Sequence, residues 1–147
     1  LFFIGFFVVI GGVEASGGIE LIANALVYLG GSDPLRTALI VMWTAALLSM
    51  VIDNIPITMA LISAIQGISV GAGFAINPLW WALSLGACLG GNGTMVGAAA
   101  NVVMVGISDK KGKPIDFKEF TKIGLPVAFI SLILSSIMLY AFIFLVI

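Results

Sequence analysis

The stretch Leu89-Gly90-Gly91-Asn92-Gly93-Thr94-Met95-Val96-Gly97-Ala98-Ala99-Ala100-Asn101 decides how the rest of the chain is read. It lies inside a long apolar run, yet it holds three glycines within four residues and two asparagines. Gly costs about 1 kcal/mol per helical position relative to Ala, so Gly90 to Gly93 is expected to open the backbone. In hydrocarbon, opened backbone survives only where it is buried in protein or lines a cavity. The sequence therefore predicts an unwound, polar peptide at membrane depth.

Composition supports that setting. The chain has 147 residues, 61% hydrophobic and 9% charged, with a mean hydropathy of +1.25. A soluble domain carries about 25% charged residues, so the expectation is an all-α, multi-pass integral membrane protein in contact with the lipid bilayer. The absence of any basic surface excludes nucleic acid as a partner. There is no His, which removes the commonest proton shuttle and metal ligand, and the single Cys88 allows no internal disulfide. No cofactor is expected. The chain begins at Leu1, already apolar, and reads as a C-terminal portion of something longer.

Outward from the glycine-rich stretch, Asn77-Pro78 starts a helix, with Trp80-Trp81 as an interfacial anchor. Leu79 to Leu89 and Thr94 to Ile107 are each too short to span, but together measure roughly 38 Å at helical rise. The expectation is one discontinuous helix over 78–107, broken at 90–93, of the kind that carries binding sites in secondary transporters. Upstream, residues 1–13 look like the end of a spanning helix. Residues 18–30 read as an interfacial helix with a polar stripe at Glu20, Asn24 and Tyr28; a spanning helix with a wet face is the alternative. Asp33 and Pro34 are a cap and first helical residue.

Residues 35–70 then read as two apolar arms joined at 53–56, Asp53-Asn54-Ile55-Pro56. Pro56 biases Ile55 away from helical geometry, so the second arm is taken to begin at Ile57. That arm covers roughly 20 Å, short of the ~30 Å hydrocarbon core. A re-entrant hairpin fits better than two crossings, although the first arm is longer, at about 18 residues. Residues 108–122 hold five of the six basic residues, which places this loop in the cytoplasm. Residues 123–147 form a final span. The hairpin then opens to the exterior, and the broken helix runs from outside to inside.

Asp53 is the sole acid deep in an apolar arm, and intramembrane ionisable residues usually face a pathway or a partner. The bland reading is a surface turn. If buried, Asp53 has no Lys or Arg to pair with, so it must be protonated, bind a cation, or meet a part of the protein beyond this chain. Its place at the negative end of its arm disfavours a bare carboxylate. Asn54, Thr58, Asn92, Thr94 and Asn101 are neutral donors and acceptors near the two breaks. Carbonyls around Ser49–Ile52 and Leu89–Gly91 can coordinate a cation. The arms starting at Ile57 and Thr94 aim positive dipole ends at the same region. For the asparagines the alternative is helix-to-helix hydrogen bonding. Gly86/Gly90 and Gly93/Gly97 have the spacing that permits close helix packing. Without a Ser–His pair or paired aspartates, an intramembrane protease is disfavoured, and the chain is not expected to be an enzyme.

These residues resemble a known family. Ser49-Met-Val-Ile-Asp53-Asn54-Ile55-Pro56-Ile57-Thr58, followed by Gly86-Ala-Cys-Leu-Gly90-Gly91-Asn92-Gly93-Thr94-Met-Val-Gly97-Ala-Ala-Ala-Asn101-Val102-Val103, is similar to the ion transporter superfamily. The nearest branch is the group of arsenite permeases, NhaD-type sodium/proton antiporters and melanosomal P protein-like permeases. The resemblance covers nearly the whole chain, including Gly12-Val-Glu14 and Asp116-Phe-Lys-Glu-Phe120.

It implies an inverted-repeat transporter whose C-terminal half this chain is like, with the N-terminal repeat as its partner and a homodimer left open. It further implies a sodium site at Ser49, Asn54 and the backbone of Gly90, Gly91, Asn92 and Gly93, with Asn92 and Thr94 bordering substrate. The family's dicarboxylate carriers have Ser-Asn-Thr at the tip where this chain has Asp53-Asn54-Ile55. That departure favours a cation, proton-coupled exchange or a neutral oxyacid, with Asp53 as the carrier of Na+ or H+. The expected function is secondary active transport of a small inorganic ion or oxyanion, by sodium/proton antiport or arsenite-type efflux. Alternating access would act on a site between hairpin tip and helix break. A sodium-coupled di- or tricarboxylate symporter and a passive ion channel are the alternatives.

Overall fold

The computed structural model describes residues 4, 5, 8, 11, 12, 15–31, 33–69 and 76–146. The expectation for 1–13 falls mostly outside them, as do the Glu20 side chain and the glycine-rich segment 70–73. Every described regular element is helical. In chain order these are α1 (Gly18–Gly30), α2 (Pro34–Ser49), α3 (Asn54–Ser69), α4 (Asn77–Gly90), a 3-10 turn (Gly91–Gly93), α5 (Ala99–Lys110) and α6 (Phe117–Val146).

α1 turns Leu26 inward and leaves Asn24 and Tyr28 exposed. Asp33 then starts α2. Its backbone is extended, its carboxylate accepts from the Leu35 N–H at 2.9 Å, and Pro34 occupies the first turn, where a missing donor is harmless.

The core is built on α2, whose Ala38, Val41, Met42, Ala45 and Ala46 are completely buried. Its most extensive partner is α4. Small residues make that approach possible. A Cβ on Gly86 would run into the Met42 carbonyl, and one on Gly90 would lie 2.5 Å from the Ala46 Cα. Without a hydrophobic drive between helices in lipid, such backbone-to-backbone packing is what holds neighbours together. The spacing of Gly86 and Gly90 is thus used against α2.

α6 runs for 30 residues, and within it Phe117–Leu145 is the one stretch among the described residues long and apolar enough to cross a membrane. It buries Ala128, Leu132, Ser135, Leu139 and Ile143 on one stripe and exposes Ile123, Val127, Ile130, Leu134 and Ile137 on the other. The buried stripe meets α4 and the 3-10 turn. Trp43 of α2 donates its indole N–H to the Ser136 hydroxyl at 3.3 Å and packs its ring 5.8 Å from that of Phe129. The helix begins at Phe117 rather than Ile123, so the non-helical part of the charged segment is confined to 111–116.

Two further boundaries differ from the sequence expectation. α3 begins at Asn54, not Ile57, and the turn between the arms is Met50–Asp53. Pro56 is the third residue of the helix, where its lack of an N–H costs nothing because those first donors have no partner within the helix. Each arm therefore has 16 residues, about 24 Å. The break in the second helix is also longer and later than 90–93. Gly90 stays helical, pressed onto Ala46, and non-helical backbone runs from Thr94 to Ala98 before α5 starts at Ala99.

Candidate functional site

The turn at 50–53 and the break at 91–98 face each other, joined by the hydroxyl of Thr94, while the carboxylate of Asp53 reaches the start of α5. Ser49, fully buried at the end of α2, donates its hydroxyl to the Ala87 carbonyl at 2.7 Å. Thr94, in extended backbone, donates its hydroxyl to the Met50 carbonyl and accepts from the Gly97 N–H at 3.1 Å. These bonds hold Thr94 out of the helix that its sequence context predicts. Asn101 reaches back from α5 and gives both amide hydrogens to the break, one to the Gly91 carbonyl at 2.9 Å and one to the Thr94 carbonyl at 3.0 Å.

Asp53 lies between two helix starts. One carboxylate oxygen accepts from the Ile55 N–H at 3.1 Å, capping α3, and the other accepts from the Ala99 N–H at 2.8 Å, at the start of α5. This corrects the expectation that Asp53 sits at a negative helix end that disfavours its charge. It caps the positive ends of α3 and α5, both of which favour a carboxylate. It also adds a fourth answer to how the acid is satisfied: two backbone amides. Those bonds occupy two of roughly four lone-pair positions on the carboxylate, leaving the others for a cation or proton.

Carbonyl oxygens complete the arrangement. Those of Ser49, Val51 and Ile52 accept no hydrogen bond among the described residues. The oxygens of Ser49 and Gly91 converge on Gly97, where a Cβ would lie 2.7 Å from each. Gly93 packs against the Met50 side chain, and Gly124 lets α6 cross the break, since a Cβ there would meet the Asn92 oxygen at 2.6 Å. Two negative helix ends, of α2 and α4, thus meet two positive ones, of α3 and α5, and Asp53 answers both positive ends.

Ser49, Asp53, Gly90, Gly91, Gly93, Thr94 and Asn101 are brought together. Asn54 is half-buried beside Asp53, and Asn92 is exposed; neither side chain makes a hydrogen bond among the described residues. Thr58 is placed elsewhere. Its hydroxyl donates to the Asn54 carbonyl within α3 at 2.7 Å, and it lines a separate cleft with Trp80, Leu83 and Cys88. In sequence Gly97 is marked only by its spacing, and Gly124 and the Ala99 amide carry no signal; their roles arise from contacts between distant segments. Beside Asp53 a cleft of about 510 Å³ opens, lined otherwise by Val51, Ile52, Val96, Ala99, Val102 and Val103. Among the described residues, its one polar side chain is the carboxylate.

The profile of a family described as citrate transporter matches residues 1–86. An uncharacterized transporter of Synechocystis sp. is 35% identical over 153 residues, covering 93% of this chain and 34% of that protein. An uncharacterized transporter of Mycobacterium tuberculosis is 40% identical over 142 residues, covering 95% and 33%. The mouse P protein is 45% identical over 94 residues, covering 63% of this chain and 11% of its own length. The chain spans about a third of the length of the first two relatives. No solved structure matches it.

Proposed function

This chain belongs to the citrate transporter family, and we propose that it supplies one repeat of a secondary active transporter for a small inorganic ion or oxyanion. Coupling to Na+ or H+ runs through Asp53, and the site lies between the 50–53 turn and the 91–98 break. The family and the names of the relatives support a membrane transporter of which this chain is a part; substrate and coupling are our reading.

The observation that carries this reading is the position of Asp53. Its carboxylate already answers the positive ends of α3 and α5, while the carbonyls of Ser49, at the end of α2, and of Val51 and Ile52, in the turn before Asp53, accept no hydrogen bond among the described residues. An anion arriving here would meet a carboxylate and carbonyl oxygens, with no uncompensated helix N-terminus to receive it. A cation, a proton or a neutral oxyacid meets oxygen ligands, which suit hard cations. In this reading α2 and α3, at about 24 Å each, form a re-entrant hairpin short of the ~30 Å core. The lysine-bearing segment 108–122 is cytoplasmic. The preceding repeat of the same protein covers the cleft beside Asp53, and a homodimer is the assembly to test for.

Transport of a di- or tricarboxylate with sodium is a second reading, favoured by the family's description. Purified full-length transporter in proteoliposomes separates the two. Outward and inward gradients of Na+ and H+ are imposed, and fluxes of radioactive sodium, arsenite and citrate are followed. Sodium flux driven by a pH gradient, or arsenite flux driven by either gradient, supports the first reading. Gradient-driven citrate uptake alone replaces it with the second, and fluxes that move no counter-ion indicate a channel.

A further inference from the structure

We propose that Asp53 is a positioning residue that ties the second half of the broken helix to the hairpin turn, so that the turn and α5 move as one body. The inference deepens the transport reading and rests on it only for the word transport.

None of the residues of α5 is buried. Its first residue follows Ala98, which has the extended backbone of a helix cap (φ −148°, ψ 137°) but no side chain able to cap. The missing acceptor comes from 46 residues away, where Asp53 takes the Ala99 N–H. The same carboxylate caps its own helix through the Ile55 N–H. The Asn101 bonds stay within the break, at Gly91 and Thr94. The Asp53–Ala99 bond is therefore the sole hydrogen bond between α5 and the hairpin among the described residues. Serving two helices needs two acceptor oxygens on one side chain. Asn offers a single oxygen, so Asp53→Asn cannot present the two oxygens that the two helices use, and Asp53→Ala presents neither.

The test uses the full-length transporter in lipid nanodiscs and two readouts that do not depend on flux. In amide hydrogen exchange, Asp53→Ala, which keeps neither acceptor, is expected to speed exchange at Ala99–Val102 by about 2- to 30-fold, the range for loss of an N-cap. Adding Ala98→Ser gives α5 an acceptor for the N–H of Ala100 or Asn101 and should slow exchange there again, while Ala99, whose N–H Asp53 holds, stays fast. In the second readout, spin labels at Leu48 and Met104, both exposed, report the distance between hairpin and α5. In the wild type that distance should stay constant with and without sodium and across imposed pH values. In Asp53→Ala with Ala98→Ser it should broaden, because α5 has a cap of its own but the tether is gone. Unchanged exchange in Asp53→Ala overturns the proposal. So does a wild-type Leu48–Met104 distance that shifts with sodium or pH, a result independent of how well any variant folds. If exchange and distances behave as expected while no coupled flux is found, the tether stands and the transport reading fails.

Discussion

Replacing Gly90 by alanine adds one methyl group where α4 presses closely on α2. The new Cβ would lie 2.5 Å from the Ala46 Cα and 2.7 Å from its carbonyl carbon. Carbon atoms rest at about 3.5–4.0 Å, so α4 must retreat from α2 by about 1 Å. That retreat pulls Ala87 away from Ser49, whose bond stands at 2.7 Å, and stretches it beyond the useful range of about 3.2 Å. Overpacking costs about 1–3 kcal/mol and a lost interhelical hydrogen bond in a membrane about 0.6–2 kcal/mol. The combined expectation is about 2–5 kcal/mol. Gly106→Ala is the control, because a Cβ there meets nothing within 4 Å and alanine favours the helix by about 1 kcal/mol. Thermal unfolding of the full-length protein in detergent, followed by tryptophan fluorescence, should give a clear fall for Gly90→Ala and no fall for Gly106→Ala. Equal midpoints for the two variants would refute the packing argument.

Three other perturbations probe the join between turn and break. Thr94→Val keeps the shape of the side chain but removes the donor to the Met50 carbonyl and the acceptor for Gly97, and should cut gradient-driven flux at least tenfold. Thr94→Ser, which retains the hydroxyl, should keep most of it. Asn101→Leu strands two carbonyls that now accept its amide and is expected to lower stability by about 1–3 kcal/mol, read as the unfolding midpoint in detergent. Cysteine placed at exposed Lys113 should react with a membrane-impermeant maleimide only from the cytoplasmic side of inverted and right-side-out vesicles. Labelling from the outer side would reverse the assigned orientation.

Much of this architecture is legible in the residues, and the failures have physical causes. Asp33-Pro34 announces its helix start because the cap is local, two residues from its donor. The two breaks are legible because glycine, asparagine and proline weaken helices whatever surrounds them. The helix starts after those breaks are not. Pro56 suggests a later start for α3, yet a proline in the first turn forfeits no helical bond. Thr94 belongs to an apolar run that reads as helix, and only its hydroxyl bond to Met50, 44 residues earlier, keeps it extended. For the same reason Asp53 looks like an acid without a partner in sequence. Its partner is a backbone amide, and every residue in the chain except proline has one. The polar residues that stand out in the sequence largely come together in the fold, and several of them are occupied in holding two backbones together.

The most direct measurement compares wild-type and Asp53→Asn transporter in proteoliposomes under an imposed pH gradient, with sodium flux followed in both directions. Coupled flux in the wild type and its loss in Asp53→Asn is the predicted result. That loss should persist in Asp53→Asn with Ala98→Ser, where the α5 cap has been restored. Undiminished coupling in either variant would contradict the assignment of Asp53 as the carrier of the coupling charge.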